Sequence, residues 1–248
     1  FVRIVVDEAT DGAALSEVEV VAVGDNISLG VMERGGAFDF GLLARDPQNM
    51  FDGNMDTFVV YPNENKNFPL VVFLMDAIGK REELHDMARR IASSGYYVLL
   101  PDLYYRFDPG FVSDFTQQSM KIMSSYENSL TFKMIISDFE RLLHYAKNES
   151  LCNDSLVGTV GYCMSGPFVF RLAAEFNSVI KCAASVHGVS LFTDDKESPH
   201  LFANKITGEI YFACAENDSY APNEMITNLN NYLKKININY KIDTYLGT

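Results

Sequence analysis

The sequence predicts an α/β fold, with a mostly parallel sheet covered by helices on both faces. Two observations carry this expectation. From Met55 onward, short β-rich apolar runs alternate with segments whose apolar residues recur at helical spacing. Gly95, Pro101 and the Pro109-Gly110 pair fall between those runs, where turns are needed.

In chain order, Thr57 to Tyr61 and Leu70 to Met75 read as buried strands. A helix follows over about 81–94, with Leu84, Met87, Ala88 and Ile91 on one face, and Gly95 ends it. Tyr96 to Leu100 is the next strand, stopped by Pro101. A loop holding Pro109 and Gly110 leads to a helix over about 131–147. Leu156 to Tyr162 is a strand that enters a helix running from Met164 to about Phe176. Strands Ile180 to Val186 and Glu209 to Cys214, a helix from Asn223 to Lys235 and a strand from Tyr240 to Tyr245 complete the series. Such alternation implies right-handed crossovers.

Composition narrows the function. A chain of 248 residues, 48% apolar and 21% charged, is globular and has room for one or two domains. Twenty basic against 33 acidic side chains give a net charge of −13, a field that repels phosphate backbones and anionic lipid. Nucleic acid and membrane are therefore not expected partners, and no apolar run approaches the ~18 residues of a span. Cys152, Cys163, Cys182 and Cys214 contain no C-x-x-C pair, so reduced thiols and a cytoplasmic location are expected. No histidine has an i, i+4 partner, and neither a metal nor a cofactor is expected. Nothing in the sequence assigns an oligomeric state.

Residues 1–47 contain no Lys and only Asn26, a composition that changes after Gln48. That segment is expected to be a separate β-rich unit, with strands at Ile4 to Val6, Val18 to Val23 and Ile27 to Met32, leaving 48–248 as the α/β domain. Phe1 and the closing Tyr245-Leu246-Gly247-Thr248 lead to the expectation that both ends are cut.

Chemistry concentrates at Gly158-Thr159-Val160-Gly161-Tyr162-Cys163-Met164-Ser165-Gly166, where a strand passes through small residues directly into a helix. That is the setting of a nucleophile elbow: a tight turn at Cys163, with Gly161, Ser165 and Gly166 small enough for strand and helix to approach. The helix N-terminus is expected to lower the thiol pKa and to leave the Met164 N–H free for an oxyanion hole. The competing reading is a small cysteine packed at a strand end. Ser165 competes as nucleophile, but its flanks, Cys163 and Pro167, suit the turn less well.

Gly161 to Gly166, with Pro101-Asp102-Leu103-Tyr104-Tyr105-Arg106, Met75-Asp76-Ala77-Ile78-Gly79 and Asp218 near Pro222, resembles the dienelactone hydrolase family of α/β-hydrolases from about Asp52 to Thr248. The resemblance implies an α/β-hydrolase fold and cleavage of a small ester or lactone by a Cys-His-Asp mechanism. Cys163 matches the nucleophile and Asp218 the acid, with Glu216 as fallback; Ala215 replaces the usual glycine of that loop. Arg106 matches an arginine that binds a substrate carboxylate, its simpler reading being an ion pair with Asp102 or Asp108. Ala77 or Ile78 would give the second oxyanion N–H. Asp76 matches an acidic position beside the resting thiol, usually Glu. Tyr105, with Tyr104 and Tyr162, is a candidate pocket wall.

The base is missing from this pattern. The chain order nucleophile, acid, histidine is broken, since His85, His144, His187 and His200 all precede Asp218. The resemblance places the histidine just after Tyr245 to Thr248, so the chain is expected to stop before it. Of those present, His187 follows a strand at the edge where α/β sites gather and is a candidate substrate-binding residue. His85 is expected to be solvated among Glu82, Glu83 and Asp86, His144 to lie on a surface helix and His200 in a loop. Two readings from other classes remain: a non-catalytic domain binding an acidic metabolite, and a redox-sensing thiol.

Overall fold

The computed structural model describes residues 2–9, 12–20, 42–45 and 55–247, the first three stretches as backbone only. Strands β1 (Val2–Ala9) and β2 (Gly12–Val20) form a two-stranded antiparallel sheet with an irregularity at Val5/Val6. The expected strand at Ile27 to Met32 lies outside the described residues.

The remaining strands form one eight-stranded sheet: β3 (Leu42–Arg45), β4 (Thr57–Pro62), β5 (Phe68–Leu74), β6 (Tyr97–Pro101), β7 (Cys152–Tyr162), β8 (Ile180–Val186), β9 (Glu209–Ala215) and β10 (Tyr240–Tyr245). Their spatial order is β10-β9-β8-β7-β5-β6-β4-β3. β3 and β4 pair antiparallel, as do β4 and β6, and every other neighbouring pair is parallel. The large sheet thus takes its edge strand β3 from before residue 48.

Continuous apolar runs such as Phe58-Val59-Val60-Tyr61 and Leu70 to Leu74 suit strands covered on both faces, and all of these side chains are buried. Helix α1 (Glu82–Ser93) buries Leu84, Ala88 and Ala92 at i, i+4 and i+8. The segment read as a loop before residue 131 instead contains a helix, α2 (Gln117–Ser129), whose Thr116 side chain accepts the Ser119 N–H. It buries no residue fully, so it has no complete apolar stripe from which to be recognised. α3 (Phe132–Lys147) is capped by Thr131, α4 (Gly166–Glu175) is buried along nearly its whole length, and α5 (Asn223–Ile236) closes on Asn237 in the left-handed region.

Strand register brings the chemistry to one edge. Leu74 pairs with Gly161, Tyr162 with Val186, and Val186 with Ala213. The loops after β5, β7, β8 and β9 therefore leave the sheet at one level, its carboxyl edge, where open α/β sheets hold their ligands.

Candidate active site

The turn after β7 is as tight as the small residues require. Cys163 takes a positive φ of 52° in a 3-10 turn over Cys163–Ser165, and α4 begins at Gly166. A non-glycine residue in the left-handed region is an uncommon and costly conformation of the kind that gathers at functional sites. Ser165 is fully buried and its hydroxyl donates to the Met75 carbonyl, so it braces the elbow against the loop after β5. That use of the hydroxyl makes it a strut.

The thiol does not match the expectation of a lowered pKa. Its pKa is raised to about 11, chiefly by burial and also by the carboxylates of Glu127, Asp76 and Asp218, while the Met164 N–H directed at the sulfur pulls it down. A 3-10 turn separates the sulfur from the first α-helical turn, so the aligned peptide dipoles begin too late to offset burial. Alkylation of Cys163 by iodoacetamide should then climb about tenfold per pH unit from pH ~7 to ~10 with no plateau. A plateau near pH ~8 would contradict the burial argument. The other cysteines are buried, and Cys163→Ala supplies the background rate.

After β5, Asp76 is gripped by Arg81 through two bonds of 2.7 and 2.9 Å, and its Oδ1 also accepts the Ile78 N–H at 3.0 Å. Of the two N–H groups considered for the oxyanion hole, Ile78 is therefore occupied, and Ala77 has no partner for its N–H among the described residues. The Ala77 carbonyl accepts the Tyr104 hydroxyl at 2.8 Å, and that hydroxyl also touches Met164 Sδ at 3.3 Å. Tyr104, wholly buried, thus pins the β5 loop to the elbow. Sequence reading placed it among pocket walls and missed this role.

Arg106 is not free to meet a substrate carboxylate. Its guanidinium is bidentate on Asp138 of α3 at 2.6 and 2.5 Å, and the Tyr105 hydroxyl donates to the same carboxylate at 2.9 Å. The expected partners Asp102 and Asp108 are replaced by a buried residue one helix away. Asp102 instead accepts the Tyr104 and Gly110 N–H groups, organising the turn after β6.

His187 follows β8 with φ +39°, donates its N–H to the Ala213 carbonyl and meets the Tyr162 ring edge-on at 5.9 Å. Burial lowers its pKa, while Asp218 and Asp76 raise it. Asp218 itself accepts the Tyr220 and Ala221 N–H groups after β9. Its field reaches both Cys163 and His187. Glu216 is directed elsewhere, to the Gly247 N–H at 3.0 Å. The other histidines lie apart. His85 stacks on Phe58 at 4.2 Å rather than standing in solvent, His144 is exposed on α3, and His200 is buried against Phe192 with Nδ1 on the Ser198 hydroxyl. Among the described residues no group of three or more His, Cys, Asp or Glu could hold a metal ion, and no helix is long and apolar enough to cross a membrane.

A mostly parallel sheet in this strand order, with a tight strand-to-helix turn at Cys163 after β7 and a carboxylate loop after β9, is the architecture of an α/β-hydrolase. Residues 55–248 match the dienelactone hydrolase family, and the chain belongs to it. A Synechocystis sp. protein provisionally named carboxymethylenebutenolidase is 26% identical over 207 residues, 77% of this chain and 83% of the relative. The carboxymethylenebutenolidase of Pseudomonas putida is 27% identical over 153 residues, 61% of this chain and 63% of its own. Among solved structures, a Klebsiella pneumoniae protein provisionally named dienelactone hydrolase superposes with a TM-score of 0.72 at 20% identity, covering 82% of this chain and 85% of the other.

Proposed function

We propose that the protein hydrolyses small esters or lactones through a thioester on Cys163. The observation that carries the reading is the elbow itself: a cysteine at positive φ after a parallel strand, with Asp218 in the loop after β9 at the same edge of the sheet. In the proposed cycle the Cys163 proton passes to a base and the sulfur bonds to the carbonyl carbon. The π pair moves to the oxygen, which accepts the Met164 and Ala77 N–H groups. Collapse expels the alkoxide, which takes the proton back. Water then gives a proton to the base and attacks the thioester carbonyl, and the second collapse breaks the C–S bond, releasing the acid and returning the proton to the Cys163 sulfur. The base in this reading is an imidazole oriented by Asp218. The Gly247 N–H bond to Glu216, two residues before Asp218, lays the end of β10 beside the acid loop. A raised thiol pKa disfavours the redox-sensing alternative, since peroxide reacts with thiolate.

The test is hydrolysis of p-nitrophenyl acetate and a small lactone by the full-length protein, by its Asp218→Asn variant and by its Glu216→Gln variant. Loss of the orienting carboxylate should lower kcat by roughly 10⁴-fold for Asp218→Asn, with Glu216→Gln within about threefold of wild type. Failure to turn over every ester and lactone tried would sink the reading.

A further inference from the structure

Charge selects substrates early at a partly closed site, because attraction and repulsion there are weakly screened. Two guanidiniums follow the strand ends around Cys163, and both are bidentate on carboxylates of the protein itself. Arg106 holds Asp138 while lying over the Tyr105 ring at 4.4 Å, and Arg81 holds Asp76. Asp76 is paired with Arg81, which also meets the exposed Glu83 at 3.4 Å, and Asp218 is bonded by two backbone N–H groups.

Glu127 is different. It sits near the end of α2, half-buried, with no hydrogen-bond or ion-pair partner among the described residues. Its helix lies against the site: the adjoining Tyr126 packs on Tyr104 with ring centres 5.6 Å apart, and Tyr104 touches Met164 beside the nucleophile. Glu127 acts on the thiol together with Asp76 and Asp218. The same carboxylate acts on Tyr104.

We infer that Glu127 is a specificity-determining residue that makes this a site for neutral or cationic acyl donors and an unfavourable one for substrates bearing a carboxylate. The inference rests on Cys163 being the nucleophile of the proposed hydrolase, and it reverses the expectation attached to Arg106. With the would-be carboxylate anchor occupied by Asp138 and an unpartnered carboxylate on the helix that packs against Tyr104, an anionic substrate meets repulsion. A neutral ester of the same shape meets none.

Alkylation tests this without requiring turnover. Iodoacetamide is neutral and iodoacetate carries one negative charge, and both transfer their methylene carbon to the same sulfur with loss of iodide. At pH ~8 the iodoacetate-to-iodoacetamide rate ratio at Cys163 should lie about five- to tenfold below that of 2-mercaptoethanol. Glu127→Gln should bring it most of the way to the free-thiol value, whereas Glu140→Gln, on the exposed face of α3, should leave it unchanged. Taking the ratio removes the change in thiol pKa that either variant brings. A wild-type ratio equal to that of the free thiol overturns the inference, and so does a low ratio that Glu127→Gln leaves in place. In the full-length protein, Glu127→Gln should narrow the preference for p-nitrophenyl acetate over mono-p-nitrophenyl succinate by a similar factor. Charge-selective alkylation without any ester turnover would defeat the proposed hydrolysis and leave the electrostatic assignment standing.

Discussion

Cys163→Ala is expected to leave the full-length protein folded and to lower ester hydrolysis by about 10⁴- to 10⁶-fold, the range in which a covalent nucleophile is lost. Folding should survive because alanine keeps the Cβ that already sits at φ 52°, and the sulfur is only partly enclosed. What remains is the pair of N–H donors at Met164 and Ala77, which can still polarise a carbonyl but cannot form the thioester. Kinetics on matched wild-type and variant protein, each checked by circular dichroism, decide the matter. Retention of a tenth or more of the wild-type kcat/KM would place the nucleophile elsewhere. Ser165, the adjacent candidate, has its hydroxyl turned into the protein onto the Met75 carbonyl, so it cannot take over without dismantling the brace between the two loops.

How much of this was legible in the sequence follows from how local each signal is. Strands β5, β8, β9 and the second half of β7 are largely apolar runs, and the elbow is marked by glycines whose necessity is steric; both survive folding nearly unchanged. α2 was missed because it rests on the surface through Met123 and Tyr126 and buries nothing completely, so no 3.6-residue period stands out. With it went Glu127, a carboxylate that nothing in its local sequence distinguishes from a solvated one. Arg106 was assigned through a motif, but its partner Asp138 lies 32 residues away on α3, and pairing at that distance is decided by packing. The thiol pKa went the other way for a similar reason. The helix N-terminus is visible in sequence, whereas burial and three carboxylates from three separate loops and helices are not.

The elbow's glycines yield the other large effect. Gly166→Ala should cost about 3 kcal/mol or more and lower Tm by roughly 6–12 °C for a chain of this size. A Cβ at Gly166 would stand 2.4 Å from the Gly188 Cα and 2.5 Å from the Ser185 hydroxyl, and a backbone atom cannot step aside as a side-chain tip can. Gly188 is equally confined, a Cβ there falling 2.2 Å from the same hydroxyl. The two glycines therefore press the start of α4 against the loop that carries His187. Relief of the clash has to separate them, moving Cys163 relative to His187. Gly95→Ala is the natural comparison: its φ of 98° also disfavours a side chain, but a Cβ there meets nothing, so its cost should stay near 1–2 kcal/mol. Thermal unfolding of the two variants side by side separates steric crowding from backbone conformation alone. Equal losses would mean that close approach between α4 and the β8 loop is not what holds the elbow in its strained turn.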